Sequence, residues 1–253
     1  MADRDATWLS FDSGRRHPHD NMAIDEALLG LGADFPVVVR FYDWDPPGLS
    51  LGYFQRRSEF PPQRVRQLGA LLTRRTTGGG AILHKGEITF SIAGSDDREP
   101  FAGPVKESYH AIHLALAAGL SALGVEACLR DDQAIVQKGG DAAGRCFYSV
   151  TSYDLVAAGR KLVGSAQRRK GGRVLHHGSI PLDPNPMTPD AASINDLCGE
   201  PVSRQQVIDV LKEGLEKQFA IRLEEWRPGP EVEEAALRIK QQKYATEEWL
   251  GMR

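Results

Sequence analysis

Between Pro36 and Gly94 the sequence predicts one strand after another, without the regular alternation of strand and helix that builds parallel sheets. Three segments rich in β-branched and aromatic residues, PVVVRFYDW, LSLGYF and ALLTRR, occupy residues 36–44, 49–54 and 70–75. The glycine-rich run GGGAILHKGEITFSIAG follows at residues 78–94 and predicts a hairpin. This order argues against a Rossmann fold. It predicts an α/β (α+β) fold with a mixed, mostly antiparallel sheet flanked by helices.

Two long helical patterns accompany these strands. The first runs from Asp20, the predicted N-cap, to Gly32, and the second runs from Pro104 to Gly124. The sequence pattern over residues 202–253 predicts a helix, a short strand and a second helix. The 253 residues suffice for one large core. We therefore interpret residues 1–253 as a single domain in which 202–253 form a small C-terminal helical appendage, with no large accessory domain.

Composition argues against several classes of protein. The net charge is −3, which gives no general attraction to nucleic acid. The N-terminal residues lack the apolar run of a signal peptide, and no window approaches the eighteen or so apolar residues that span a bilayer. Three cysteines without paired spacing indicate neither a disulfide framework nor a zinc site. We expect a cytoplasmic protein that binds neither nucleic acid nor membrane.

The first candidate site is the run RRTTGGGAILHKGE, residues 74–87. The glycines Gly78, Gly79 and Gly80 permit positive φ and expose backbone N–H groups, so the run can approach a ligand closely or form an anion-binding nest; it can also be a plain hairpin turn. Arg75 can add charge to it. His84 is either an acid or base, or a strand histidine that faces solvent.

The second candidate site lies in residues 145–169. A turn near Gly159 predicts a hairpin whose second strand begins at Lys161, and strict alternation would place Lys161, Val163, Ser165 and Gln167 on one face. Cys146 precedes the hairpin and is either a buried structural thiol or a nucleophile. A nucleophilic thiol needs a nearby cation, for which Lys161 is the candidate, although an ordinary surface lysine is the alternative.

Two adjacent histidines, His176 and His177, lie in a further predicted strand. Neighbouring residues of a strand point to opposite faces, so only one of the two can enter a given pocket.

Together these segments resemble the lipoate–protein ligase and octanoyltransferase family, whose catalytic domain is shared with biotin–protein ligases. The stretches MAIDEALL, RRTTGGGAILHKGEITFS, GRKLVGSAQRR, HHGSIPL and KYATEEWL occur in the family's order, over roughly residues 21–249. The resemblance implies a fold like that of class II synthetase catalytic domains. It also implies transfer of an octanoyl or lipoyl group to a lysine of a lipoyl domain.

In this family the glycine run and the lysine strand line the acyl tunnel. The resemblance thus implies catalytic roles for Cys146 and Lys161. The substrate-binding residues implied here are Arg75, Gly78, Gly79, Gly80, His84, Gly164, Ser165, Ala166, His177 and Gly178.

Two branches of the family differ in chemistry. Transferases take the acyl group from acyl carrier protein through a cysteine thioester and need no cofactor, and the stretch CFYSVTSYDL resembles theirs, with Cys146 as the nucleophile. Ligases activate the free acid with ATP and Mg²⁺, and Gly80 resembles their third loop glycine. The expected acceptor is a lipoyl-domain protein, such as glycine cleavage H protein or a 2-oxoacid dehydrogenase E2 subunit. The sequence favours the transferase over the ligase, and both over a non-catalytic lipoate or lipoyl-domain binder.

Overall fold

The computed structural model describes residues 6–130 and 153–253, so Cys146 lies outside the described residues. The strands are β1 Thr7–Arg16, β2 Val38–Trp44, β3 Gly48–Leu51, β4 Leu71–Arg74, β5 Ile82–His84, β6 Glu87–Ser95, β7 Ala127–Leu129, β8 Leu155–Ala157, β9 Arg160–Lys170, β10 Arg173–Pro181 and β11 Arg222–Glu225. The helices are α1 Pro18–Leu29, α2 Pro62–Gln67, α3 Val105–Leu120, α4 Ile194–Cys198, α5 Arg204–Phe219, α6 Pro230–Ile239 and α7 Glu247–Leu250.

The main sheet has the order β11-β1-β2-β6-β10-β9-β8-β7 within the described residues. Strand β1 runs parallel to both of its neighbours, β11 and β2. The pairings from β2 across to β7 are all antiparallel. The predicted mixed, mostly antiparallel sheet is therefore confirmed.

A smaller sheet, β4-β3-β5, stands beside the main one. Strand β5 pairs with β3, whereas β6 pairs with β2 and β10, so the hairpin predicted over residues 78–94 is wrong. The chain instead crosses from the small sheet to the main sheet at Lys85 and Gly86. This crossing brings the glycine run next to the centre of the main sheet.

Helices cover both faces of the main sheet. Along β2, Val39 and Phe41 pack against the layer that contains α3 and α5, while Val38 and Tyr42 pack against the layer of α1 and α6. This alternation is what a strand buried on both faces requires. The helix predicted from Asp20 begins earlier, at Pro18, because His17 is the N-cap: its side chain accepts from the backbone N–H of His19.

Residues 202–253 contact the rest of the fold through one strand and two helices. Strand β11 pairs with β1 along the sheet edge, α5 packs on α3, and α6 packs on α1. No helix in residues 6–130 and 153–253 is both long and apolar enough to cross a bilayer.

Candidate functional site

The glycine loop, residues 77–80, is held by the side chain that precedes it. The Arg75 guanidinium donates to the carbonyl of Gly78 at 2.7 and 3.1 Å, to that of Gly80 at 2.7 Å and to that of Ser50 at 3.0 Å. Arg75 is almost fully buried. Its charge thus supports the loop's own main chain, a role that the glycine run alone did not reveal.

The loop also depends on a close backbone approach at Gly52. A Cβ at Gly52 would lie 1.9 Å from the carbonyl oxygen of Gly79, which no side chain tolerates. Gly79 itself has a φ of +93°, a conformation that favours glycine. The loop is therefore packed in place against the strand end rather than being a free turn.

A narrow cavity lies against strands β9 and β10, next to Arg75 and Ile82 on either side of the glycine loop. The loop glycines themselves, Gly78, Gly79 and Gly80, are not among its described lining residues. Only about 20 Å³ of it can hold the centre of a water molecule, which is room for about one water. The predicted site residues that line it are Arg75, His84, Gly164, Ser165, Ala166, His177 and Gly178. Other lining residues are Met22, Tyr42, Trp44, Ser50, Ile82, Thr89 and Ser179.

His84 belongs to a buried polar network on one side of the cavity. Its ring stacks on Trp44 at 3.9 Å, its Nδ1 bonds to the Glu87 carboxylate at 2.6 Å, and its Nε2 bonds to the Ser50 hydroxyl at 2.8 Å. Glu87 also accepts from the Thr89 hydroxyl at 2.5 Å. His84 is 4% exposed, so the interpretation as a solvent-facing strand histidine is wrong.

His177 belongs to a second network, centred on Asp25 of α1. The Asp25 carboxylate accepts from Arg40 and Tyr42, each at 2.8 Å, and from His177 Nδ1 at 3.2 Å. Burial raises the pKa of Asp25, but the His177 hydrogen bond and the Arg40 charge outweigh it, so the net pKa lies below its ordinary value.

Burial lowers the pKa of His177 more strongly than Asp25 raises it. The neutral ring therefore donates from Nδ1 to Asp25 and accepts from the Thr77 hydroxyl at Nε2, at 2.6 Å. This chain of bonds ties the start of the glycine loop to the buried carboxylate. His176 points to the opposite face, against Tyr109 and His113, as the alternation of the strand predicted.

Lys161 lies in the predicted hairpin, whose turn is Ala158–Gly159, and is 6% exposed. Its Nζ is 2.8 Å from Asp154 Oδ2. The pairing of β8 with β9 passes from Val163 to Lys161 over one step of β8, which is a β-bulge. Strict alternation from Lys161 to Gln167 is therefore interrupted, and Lys161 is not among the residues that line the described cavity.

Sequence reasoning did not identify three buried carboxylates that contact the candidate site residues: Asp25, Glu87 and Asp154. One signal was available for Asp25, which lies three residues after Met22 on the apolar face of α1. A charged residue at such a position needs a buried partner. Strand pairing, which local sequence does not specify, brings Ser179 to Glu87 and Lys161 to Asp154.

The fold is that of lipoate–protein ligases. A solved lipoate–protein ligase A bound with ATP superposes with a TM-score of 0.81 at 23% identity, covering 98% of this chain and 100% of that one. A bi-partite lipoate protein ligase from Thermoplasma acidophilum superposes with a TM-score of 0.73 at 23% identity, covering 100% and 98%.

Sequence comparison gives the family. The model of the lipoyl protein ligase A/B catalytic domain matches residues 17–216. Octanoyltransferase LipM of Moorella thermoacetica is 38% identical over 98% of both chains, and LipM of Bacillus subtilis is 33% identical over 96% of this chain and 97% of its own. The chain therefore belongs to the lipoyl protein ligase A/B catalytic domain family.

Proposed function

We propose that this chain is an octanoyltransferase of protein lipoylation. It would move an octanoyl group from acyl carrier protein to the lysine of a lipoyl-domain protein, such as glycine cleavage H protein or a 2-oxoacid dehydrogenase E2 subunit. The observation that carries the proposal is the full-length similarity to curated octanoyltransferases. No ATP is needed, because exchange of one thioester for another is nearly balanced in free energy.

Two acyl transfers make up the proposed reaction. The Cys146 thiolate attacks the carbonyl carbon of the donor thioester; the new C–S bond forms as the carrier's thiolate leaves. The uncharged amine of the acceptor lysine then attacks the acyl-enzyme. An amide C–N bond forms as the thioester C–S bond breaks, so that the Cys146 thiolate is released and the proton lost by the amine passes to solvent. Lys161 stabilises the negative charge on the carbonyl oxygen in both steps.

Small residues of β9 and β10 support this use of the cavity. Gly164 and Gly178 have no side chain and Ala166 has only a methyl group, so little side-chain volume lines this part of the wall, which suits an unbranched acyl chain. The cavity is too narrow for eight carbons as it stands. Entry of the acyl chain into the cavity therefore requires side-chain movement. Met22 is suited to such movement because its unbranched side chain has three rotatable bonds.

Two observations favour a second function, the ATP-dependent lipoate–protein ligase. The third loop residue is Gly80, as in ligases, and the fold matches a ligase bound with ATP. In that function, the glycine loop and Lys161 would hold the phosphate and the carbonyl of the activated acid, with ATP and Mg²⁺ supplied from solution.

In the decisive experiment, the protein is mixed with octanoyl–carrier protein and an apo lipoyl domain without ATP, and the masses of the products are measured by mass spectrometry. We expect one octanoyl adduct on the enzyme, which hydroxylamine reverses, and octanoylated acceptor. Cys146→Ser should abolish transfer. Cys128→Ser and Cys198→Ser are matched controls that should retain it. Full activity of Cys146→Ser with ATP and free lipoate would instead establish the ligase.

A further inference from the structure

The β8–β9 hairpin contains a buried ion pair between Lys161 and Asp154. The Lys161 and Asp154 side chains are 4% and 5% exposed. The turn at Ala158–Gly159 returns β9 along β8, so that Val156 is paired with Lys161 and Asp154, just ahead of β8, comes within reach of its ammonium. The hairpin therefore fixes a carboxylate beside the lysine.

A histidine of α3 packs against the same hairpin. His113 of α3 donates from Nδ1 to the carbonyl of Tyr153 and bonds at Nε2 to the Ser165 hydroxyl at 2.8 Å. Burial lowers the pKa of His113 to about 4, so the ring is uncharged.

Two arginines of the described residues lie beside the pair. Arg130, after β7, donates its backbone N–H to the Asp154 carbonyl at 3.2 Å. Arg160, next to Lys161 on β9, pairs with Asp196 of α4 at 3.6 Å, where both side chains are 38% exposed. The Arg160–Asp196 pair thus offers a solvent-exposed counterpart to the buried pair, one residue away on the same strand.

We propose that Asp154 is a positioning residue that keeps the Lys161 ammonium charged and oriented for catalysis, a role that rests on the proposed function of Lys161. Desolvation favours the uncharged form of a buried amine, and a close carboxylate counteracts it. An uncharged amine would stabilise neither a thiolate nor an oxyanion. Asp154 therefore acts on the reaction through Lys161 and need not touch the substrate.

The test compares Asp154→Asn with Asp154→Glu across pH. In Asp154→Asn we expect kcat to fall about 10²-fold at pH 8, the scale of losing one oxyanion-stabilising group. The loss should shrink toward pH 6, because acid restores the charge on the lysine, while KM for the acyl donor changes little. Asp154→Glu keeps the carboxylate and should recover most of the alkaline activity. Asp196→Asn is the matched control and should retain the wild-type profile.

A double variant separates positioning from a general structural role. If Asp154 acts through Lys161, adding Asp154→Asn to Lys161→Ala should change activity less than about twofold, since interacting residues are not additive. Multiplicative losses would overturn the proposal. So would an equal loss at every pH, or a Glu variant as impaired as the Asn variant.

Nitrogen-15 NMR of the lysine side chain provides a readout that does not depend on catalysis. The Lys161 signal, assigned by its loss in Lys161→Arg, should remain that of an ammonium to higher pH in the wild type and Asp154→Glu than in Asp154→Asn. Identical titrations would refute the role of Asp154. Should Asp154→Asn not fold, a Lys161 signal of an uncharged amine in the wild type at pH 7 would refute it equally. A wild-type protein that transfers no octanoyl group would refute the proposed function and leave this measurement standing.

Discussion

His113 should make the stability of this protein depend on pH between about 7 and 4. The ring is fully buried on α3, and burial lowers its pKa from 6.5 to about 4. In the unfolded chain the same ring is solvated and binds a proton near pH 6.5. As the pH falls below 6.5, the unfolded state therefore takes up a proton that the folded state refuses, and the folded state loses stability until the pH passes below about 4.

These two pKa values set the size of the effect. At pH 5 the difference in proton binding amounts to about 2 kcal/mol, and the full separation corresponds to about 3 kcal/mol below pH 4. His176, whose pKa burial places well below its ordinary value, adds to the loss in the same direction. The wild-type protein should thus lose at least 2 kcal/mol, to order of magnitude, between pH 7 and pH 5.

Urea titrations of the wild type and His113→Gln at both pH values test the argument. His113→Gln also removes hydrogen bonds, which lowers the free energy of unfolding by nearly the same amount at both pH values. This loss therefore cancels when the free energies of unfolding at pH 7 and pH 5 are subtracted. We expect the variant's loss from pH 7 to pH 5 to be about 2 kcal/mol smaller than that of the wild type. His110→Gln alters an exposed histidine of the same helix and should leave the wild-type difference unchanged. Equal differences in the wild type and His113→Gln would show that the ring takes up a proton in the folded state.

Two further predictions concern the glycine loop and its support. Gly52→Ala should displace the loop, because its Cβ would collide with the Gly79 carbonyl. Octanoyl transfer should then fall at least about 10-fold, because small displacements of catalytic groups are costly. Gly78→Ala is the control: its Cβ would meet nothing closer than 4.0 Å, so it should keep most of the activity, and equal activities of the two variants would contradict this account. Trp249→Phe removes the indole N–H that donates to the Arg74 carbonyl at 2.9 Å. In urea titrations this variant should have a free energy of unfolding about 1 kcal/mol lower than that of the wild type. An unchanged free energy of unfolding would mean that a hydrogen bond to solvent replaces this one.

Local patterns were sufficient for most elements of the fold. The β-branched run of β2, the turn at Ala158–Gly159 and the length of α3 were all visible, because each reflects neighbouring residues. Pairing between distant strands was not visible. The error over residues 78–94 shows why: the turn chemistry at Lys85-Gly86 is that of a hairpin, yet tertiary packing sends β5 and β6 to different sheets.

For the candidate site, residue types were more predictable than their partners. The sequence identified His84 and His177 as site residues, and both line the cavity. It did not identify Glu87 and Asp25, whose carboxylates fix those rings, because each contact depends on how strands and helices pack. The roles of Cys146 and Lys161 stay predictions.

The hydrogen bonds of Arg74 link the segment beside the glycine loop to the C-terminal helix α7, which the ribosome synthesises last. Its guanidinium donates to the carbonyl of Leu250 at 2.9 Å, across 176 positions of sequence, and to three carbonyls of residues 52–55 that lie against the glycine loop. A nascent chain that still lacks α7 has every residue of the loop but not the acceptor that completes this clamp. Because closing so long a segment is entropically costly, the strand that leads into the loop should be among the last parts to become protected from hydrogen exchange. Ribosome-bound chains that stop before residue 247 would then lack the Leu250 end of this clamp, which full-length chains complete on release.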